Sequence, residues 1–340
     1  MKIFIKSTSA ITPQETFNKK VYLKEWALNE GAYLQAVQPK YRDILDPKLA
    51  RRMSKIIKMG VAAAKSALTE ANVEIPEAII VGTGLGCIDD TQKFLKNIID
   101  SDEGVLSPTA FIQSTHNTIA GQIALTLKCP NYNFTYTNRG HSFENALMDA
   151  CMQINEGKNH VLLGASEEAT DTSFEFMYKM GCVGDLTKAD GPTFGEGASF
   201  FVLSNSSAEI KPFIKDVQLS NNVTEAEQIE ELQQLLSRNS LAVEDIDVLL
   251  TGRIDHVDKP HFYDAVEGTL KNKPTIAFKK VSGEHFTASG YAVHLAAMML
   301  ERQDYFNKNI ISGNLEKPLK HVLIYNHYKG INHSLMLLSI

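Results

Sequence analysis

No segment of this chain stays apolar for the roughly 18 residues that a membrane span requires. The opening Met1-Lys-Ile-Phe-Ile-Lys6 is too short in its apolar run for a secretory leader and reads as a first strand. The four cysteines, Cys87, Cys129, Cys151 and Cys182, show no paired spacing such as Cys-x-x-Cys. That argues against a disulfide framework or zinc ribbon and for a reduced, cytoplasmic setting. Basic clusters interleaved with aromatics are missing too. Lys and Arg total 34 against 40 Asp and Glu, the net charge is −6, and no nucleic-acid footprint emerges. One local basic run, Lys48 to Lys58 with Arg51, Arg52 and Lys55, has the spacing of the wet face of a helix, with docking of an acidic partner as the alternative. What remains is ordinary for a globular protein: 44% hydrophobic and 22% charged residues over 340 positions. That length fits two halves, or one large α/β unit sharing a core.

The most informative stretch runs from Tyr132 to Gly164. Asn133-Phe-Thr-Tyr-Thr137 has the β-branched and aromatic content of a buried strand, and apolar residues then fall at Phe143, Ala146, Leu147, Ala150, Cys151 and Ile154. That spacing is helical, with Cys151 on the core face. Ser142 is placed to cap the helix, Gly157 to stop it, and His160-Val-Leu-Leu-Gly164 reads as the next buried strand. Between strand and helix lies the bend Asn138-Arg139-Gly140-His141. A bend of this kind holds a nucleophile rigidly at the positive end of a helix, yet no cysteine occupies it. Arg139 and His141 beside a helix start suit either a turn facing solvent or a partner, or a bound anion or carboxylate.

Elsewhere strands alternate with helices. Small residues at Gly60, Ala63, Ala64 and Ala67 mark a closely packed helix, and Ala78-Ile-Ile-Val-Gly82 a short buried strand. Gly82-Thr-Gly-Leu-Gly86 lacks the third glycine spacing of a dinucleotide fingerprint, so it reads as a turn letting backbone pass close to another element. Ser204-Asn-Ser-Ser-Ala208 is a polar break, and residues 1–208 and 209–340 are expected as two halves of a layered α/β fold. Ala288 to Arg302 is a second small-residue helix, and two strands close the chain. His256 and His261 with Asp255 and Asp258 follow no recognised metal spacing and are read as a polar loop.

The run Asn117-Thr-Ile-Ala-Gly-Gln122, the strand, bend and helix from Tyr132, the turn Asp190-Gly-Pro-Thr-Phe-Gly-Glu-Gly-Ala198 and the closing Gly330-Ile-Asn332 together resemble β-ketoacyl-acyl-carrier-protein synthases in order and spacing. The resemblance implies the thiolase-like fold, two similar halves in five α-β-α-β-α layers, and a dimer formed along the central strands. It implies no bound cofactor and no metal, the acyl group arriving on the phosphopantetheine of a carrier protein. Family members place a nucleophilic Cys in the bend, with two His and a Lys serving decarboxylation of the extender. Here the Cys position falls on Gly140, or on Arg139 or Asn138 if the bend has changed length. Counting back from Asp264 puts the first His at His256, whereas counting forward from Ile246 reaches Gly252. The Lys and second His, five apart, fall on Lys280 and His285, or one residue earlier on Lys279 and Glu284. Tyr328 falls where the family often has an aromatic gate beside the acyl tunnel.

Without the Cys, the chain resembles the non-elongating partners called chain-length factors, which complete a dimer with a catalytic ketosynthase and shape its tunnel. Fatty-acid, polyketide or aryl-polyene synthesis is the implied setting, aryl-polyene and flexirubin-type pigments first. A homodimer is the alternative when that partner is absent. The alternative activity is an acyl-thioester enzyme of altered chemistry, a hydrolase or decarboxylase using His256, Lys280 and His285, or a ketosynthase whose nucleophile has moved to Cys87 or Cys182.

Overall fold

The computed structural model describes residues 2–18, 31–102, 104, 108–207, 209–303, 310–315 and 318–340. Ala208, which ends the expected first half, lies outside them. The chain opens with β1 (Ile3–Ile11), the short α1 (Pro47–Ala50), α2 (Lys55–Glu70), β2 (Ala78–Gly82), α3 (Ile88–Asp100), α4 (Pro108–Gln113) and α5 (Thr118–Leu127). Next come β3 (Tyr132–Tyr136), α6 (Ser142–Asn155), β4 (His160–Glu167), α7 (Asp171–Lys179) and β5 (Gly197–Ser204). After the polar break follow β6 (Phe213–Asn221), α8 (Glu225–Arg238), β7 (Val248–Thr251), α9 (His261–Thr269), β8 (Thr275–Ala277) and α10 (Lys279–Ser282). The chain closes with α11 (Ala288–Arg302), β9 (Ile310–Ser312), β10 (His321–Tyr328) and β11 (Asn332–Ser339).

The strands line up as β3-β2-β4-β5-β1-β6-β11-β10-β7-β8-β9. This order is one pattern written twice. In the first copy β2 runs parallel to β3 and β4, β4 is antiparallel to β5, and β5 is antiparallel to β1. In the second, β7 runs parallel to β8 and β10, β10 is antiparallel to β11, and β11 is antiparallel to β6. The copies meet edge to edge at Ile3 opposite Ile214 and Phe4 opposite Phe213, and β9 extends the second.

Alternation along the strands turns this pattern into layers. Ile79, Val81, Leu162 and Val202 face outward onto α2 and α5, while Ile80, Leu163 and Leu203 face inward onto α6 and α11. In the second sheet Leu249, Leu323 and Leu335 pack under α8 and α9, while Leu250, Ile324 and Met336 share the inner core. The result is the five-layer fold that the resemblance implies. The middle helices are buried almost all round, and α11 is lined by Ala292, Ala296 and Ala297 so that the sheets can close on it. On α6, Phe143, Ala146, Leu147, Ala150 and Ile154 are fully buried. Each large one contributes about 1.5 to 3 kcal/mol, and Leu147→Ala is the single change best placed to loosen the layer.

Three local expectations need correcting. Strand β3 is an edge strand whose residues are exposed or half-buried, because aromatic and β-branched content reports extended backbone and not what covers it. The basic run is not all wet: Lys55 reaches inward to Glu196 at 2.6 Å and donates to the Ala169 carbonyl at 2.8 Å. Ser142 does not cap α6, as described next.

Candidate functional site

The bend after β3 is built by side chains closing on their own backbone. Ser142 Oγ accepts from Asn138 N at 2.8 Å and donates to the Arg139 carbonyl at 2.8 Å. It staples the bend instead of capping the helix that follows. His141 N donates to the Asn138 carbonyl at 2.9 Å, and Arg139 is held at φ 47. The His141 ring is buried, and its Nε2 donates to the His333 carbonyl on β11 at 2.9 Å; burial pushes its pKa below the usual histidine range. Gly140, the primary Cys position, is buried against the turn joining β10 to β11. A Cβ there would lie 2.4 Å from Tyr328 Cβ and 3.2 Å from Asn332 Oδ1. Neither alternative position supplies a nucleophile, since Asn138 and Arg139 are both exposed polar residues of the bend.

The candidate catalytic set His256, Lys280 and His285 is not assembled. His256 is exposed in the loop after β7, at φ 57, and shares a surface hollow of about 390 Å³ with Arg253, Asp255 and Lys280. Lys280 pairs there with the exposed Asp255 at 3.3 Å. His285 is buried elsewhere, among Ile11, Thr12, Glu196 and Tyr291, a set that includes no bend residue. Burial and then the Lys279 charge push its pKa down to about 3, so it is neutral in ordinary buffers.

The counts one residue earlier lead instead to one buried polar locus. Lys279 is wholly buried, with its Nζ 2.8 Å from Glu284 Oε2 and 3.3 Å from the His327 carbonyl. Burial raises the Glu284 pKa although Lys279 pulls it the other way. Glu284 in turn helps to push the Tyr328 phenol up, after burial itself. Gly252 follows β7 directly on the same locus, where a Cβ would fall 2.4 Å from Asn326 Oδ1 and 2.6 Å from the Tyr263 hydroxyl. A histidine has no room there. The ammonium is neutralised by a carboxylate where the family pattern has a second His, and the bend presents no free thiol, hydroxyl or imidazole to an incoming thioester.

Around this locus the glycine turn and two sequence-silent carboxylates act as scaffolding. Gly82 and Gly84 are needed for close approach, since Cβ atoms there would come within 2.5 Å of the Ser142 carbonyl and 2.4 Å of the Phe286 ring. The Glu167 carboxylate accepts from Thr83 Oγ, Gly84 N and Leu85 N, holding the turn in place. Phe286 then packs on Tyr328 with ring centroids 4.9 Å apart, so the glycine turn, Phe286, Tyr328 and Gly140 form one packed series. Glu168 accepts from Ile56 N at 3.3 Å and Asp89 N at 3.1 Å, serving the first turns of α2 and α3. Burial pushes both carboxyls up to about 7. Glu196, flagged by its flanking glycines, accepts from Ala36 N at 2.9 Å and Ala169 N at 2.7 Å. Nothing in the sequence singled out Glu167 or Glu168; a carboxyl pair at the end of an apolar strand was the available signal. Of the two turn cysteines, Cys87 is fully buried with its thiol pKa pushed well up, and Cys182 is half-buried against the cluster of Tyr33, Met177, Val183 and Phe194.

The edge beside the bend is the opposite of its interior. Tyr132 and Phe134 stack at 6.2 Å along β3, and Phe134 remains 47% exposed. Leu125 on α5 and Met148 and Met152 on α6 are exposed next to it.

The family model described as beta-ketoacyl synthase, N-terminal domain, matches residues 23–243. The chain belongs to that family. No curated protein matches it in sequence. The ishigamide ketosynthase/chain length factor superposes with a TM-score of 0.78 at 16% identity, over 99% of this chain and 98% of that one. A ketosynthase in complex with its chain length factor from Xenorhabdus doucetiae gives 0.74 at 14% identity, over 100% and 98%. A beta-ketoacyl synthase from Burkholderia phymatum gives 0.75 at 14%, over 100% and 99%. The fold is therefore thiolase-like, of the ketosynthase type. Among the described residues no helix is long and apolar enough to cross a membrane.

Proposed function

We propose that this chain is the non-elongating member of a ketosynthase pair, a chain-length-factor-like subunit. It completes a dimer with a catalytic ketosynthase and shapes the tunnel for an acyl chain delivered on a carrier protein's phosphopantetheine. The observation that carries the reading is Gly140: a side chain there would start 2.4 Å from Tyr328 Cβ, so the seat of the nucleophile is filled by the chain itself. Covalent acyl transfer needs a nucleophile and an activating base in reach of each other, and the bend supplies neither. The exposed aromatic edge at β3 supports the partner half of the reading, because an unpaired edge flanked by apolar side chains favours another chain. Likeness to proteins titled as ketosynthase and chain length factor together favours fatty-acid, polyketide or aryl-polyene synthesis as the setting.

Intact mass after incubation with an acyl-loaded carrier protein tests this. The expected result is no mass gain on this chain, with acylation only on a co-expressed ketosynthase that co-purifies with it. An acyl adduct on this chain, mapped to Cys87, Cys182 or Ser142, would overturn it in favour of an acyl-transfer enzyme with a displaced nucleophile.

A further inference from the structure

One residue of the bend is used neither by the filled interior nor by the start of α6. Arg139 is exposed and holds φ 47, a left-handed conformation that glycine adopts freely and arginine does not, although a glycine follows immediately. The conformation is enforced: Ser142 Oγ grips the Arg139 carbonyl, the same oxygen takes Asn138 N, and His141 N grips the Asn138 carbonyl. Backbone strain maintained so firmly points to a use for the side chain it displays. Its guanidinium forms no hydrogen bond or ion pair with any described residue.

Its surroundings say what the guanidinium meets. Arg139 lies three residues beyond β3, whose only hydrogen-bonded neighbour in the sheet is β2. The open side of β3 is flanked by the exposed Phe134, Leu125, Met148 and Met152. A chain that covers this edge continues past the exposed Thr137, Asn138 and Arg139. An unneutralised guanidinium at such a margin calls for a carboxylate, which it takes in a two-pronged, charge-assisted bond. Near this wall the acids of α6, Glu144 and Asp149, are both buried, and the exposed carboxylate is Glu156, just past α6, whose charge bears on Tyr132 at the opposite end of β3 from Arg139.

We propose that Arg139 is the electrostatic anchor of the partner subunit, taking an acidic side chain of the ketosynthase that covers β3. This rests on the pairing proposed above and adds the residue that anchors it.

The test uses the full-length chain co-expressed with the ketosynthase that co-purifies with it. Arg139→Glu is expected to weaken pairing tenfold or more and to flatten its salt dependence, while Arg139→Lys keeps part of it. Arg139→Gly, which relieves the strain, is expected to raise the Tm of the isolated chain by a few degrees yet weaken pairing like Arg139→Glu. A merely structural arginine would not give that opposite pair of changes. Reversing the matching acid on the ketosynthase should rescue Arg139→Glu. Pairing by Arg139→Glu within twofold of wild type, with the same salt dependence, overturns the anchor alone. So does loss of carrier-protein binding with pairing intact, which would assign the guanidinium to the phosphopantetheine arm. A wild-type chain that pairs with no ketosynthase overturns the anchor and the pairing together.

Discussion

The two sides of the bend have opposite fates. Inward, Gly140 is closed off by Tyr328 and Gly252 by Asn326 and Tyr263, and Lys279 is neutralised by Glu284. Outward, a few residues away, the edge at β3 leaves aromatic and apolar side chains uncovered, and Arg139 has no counter-charge among the described residues. At both glycines the surrounding atoms leave no room for a side chain. On the pairing proposed above, the bend acts as a structural wedge beside the surface that meets the partner. Substitutions on the inside should therefore change stability and leave pairing alone, and those on the outside should do the reverse.

The largest interior effect is expected at Lys279. Lys279→Met leaves the Glu284 carboxyl buried without its counter-charge 2.8 Å away, a loss on the order of 3 to 5 kcal/mol. The double change Lys279→Met with Glu284→Leu should recover most of it, because the desolvation of both charges disappears with their attraction. Urea unfolding of the three proteins separates these outcomes. A double variant as unstable as the single one would mean that the pair stabilises the fold beyond its own neutralisation.

Installing the missing nucleophile sharpens the same contrast. Gly140→Cys should destabilise by about 1 to 3 kcal/mol through overpacking and should remain unacylated. The obstructing atom is Tyr328 Cβ at 2.4 Å, so Tyr328→Ala, which keeps that atom, should not rescue the variant and Tyr328→Gly should. Rescue by alanine would show that the ring, not the closeness of two backbones, fills the seat.

How far this was legible beforehand differs by element. The layers were, because strands alternate with helices in both halves and α11 carries small residues along its length. The site was not fixed, because Lys279 with Glu284 and Lys280 with His285 obey the same five-residue spacing. What separates them is that α10 ends at Gly283, φ 72, where the turn sends Glu284 toward Lys279 and His285 toward Glu196. No periodicity encodes that turn. His256 was favoured by counting from α9, but the end of β7 fixes Gly252 on the buried locus and leaves the following loop outside. Similarly, the aromatic run of β3 announces a strand without saying that its sheet stops there.

The smallest effect, and the most discriminating about the interior, is in pH. Glu144 sits in the first turn of α6, fully buried, accepting from Ser334 Oγ at 3.0 Å, and burial raises its pKa from 4.5 to about 7. Its folded state binds a proton that the unfolded chain releases between those two values, so its contribution to stability is complete below pH 4.5 and is lost as pH rises through 7. The buried His294, lowered to about 3 by burial and the Arg302 charge, does the reverse: its contribution is complete above 6.5 and is lost as pH falls toward 3. Glu144→Gln mimics the protonated carboxyl, so it should match wild type near pH 4.5 and exceed it near pH 8 by up to roughly 2 to 3 kcal/mol. His294→Gln should instead gain on wild type only as the solution is acidified. Thermal melts of the three proteins across that range decide it. If Glu144→Gln shows the same difference from wild type at every pH, the carboxyl is ionised throughout and a positive group holds it. The interior would then be charged like the outside of the bend, and the contrast between filled seat and open edge would rest on shape alone.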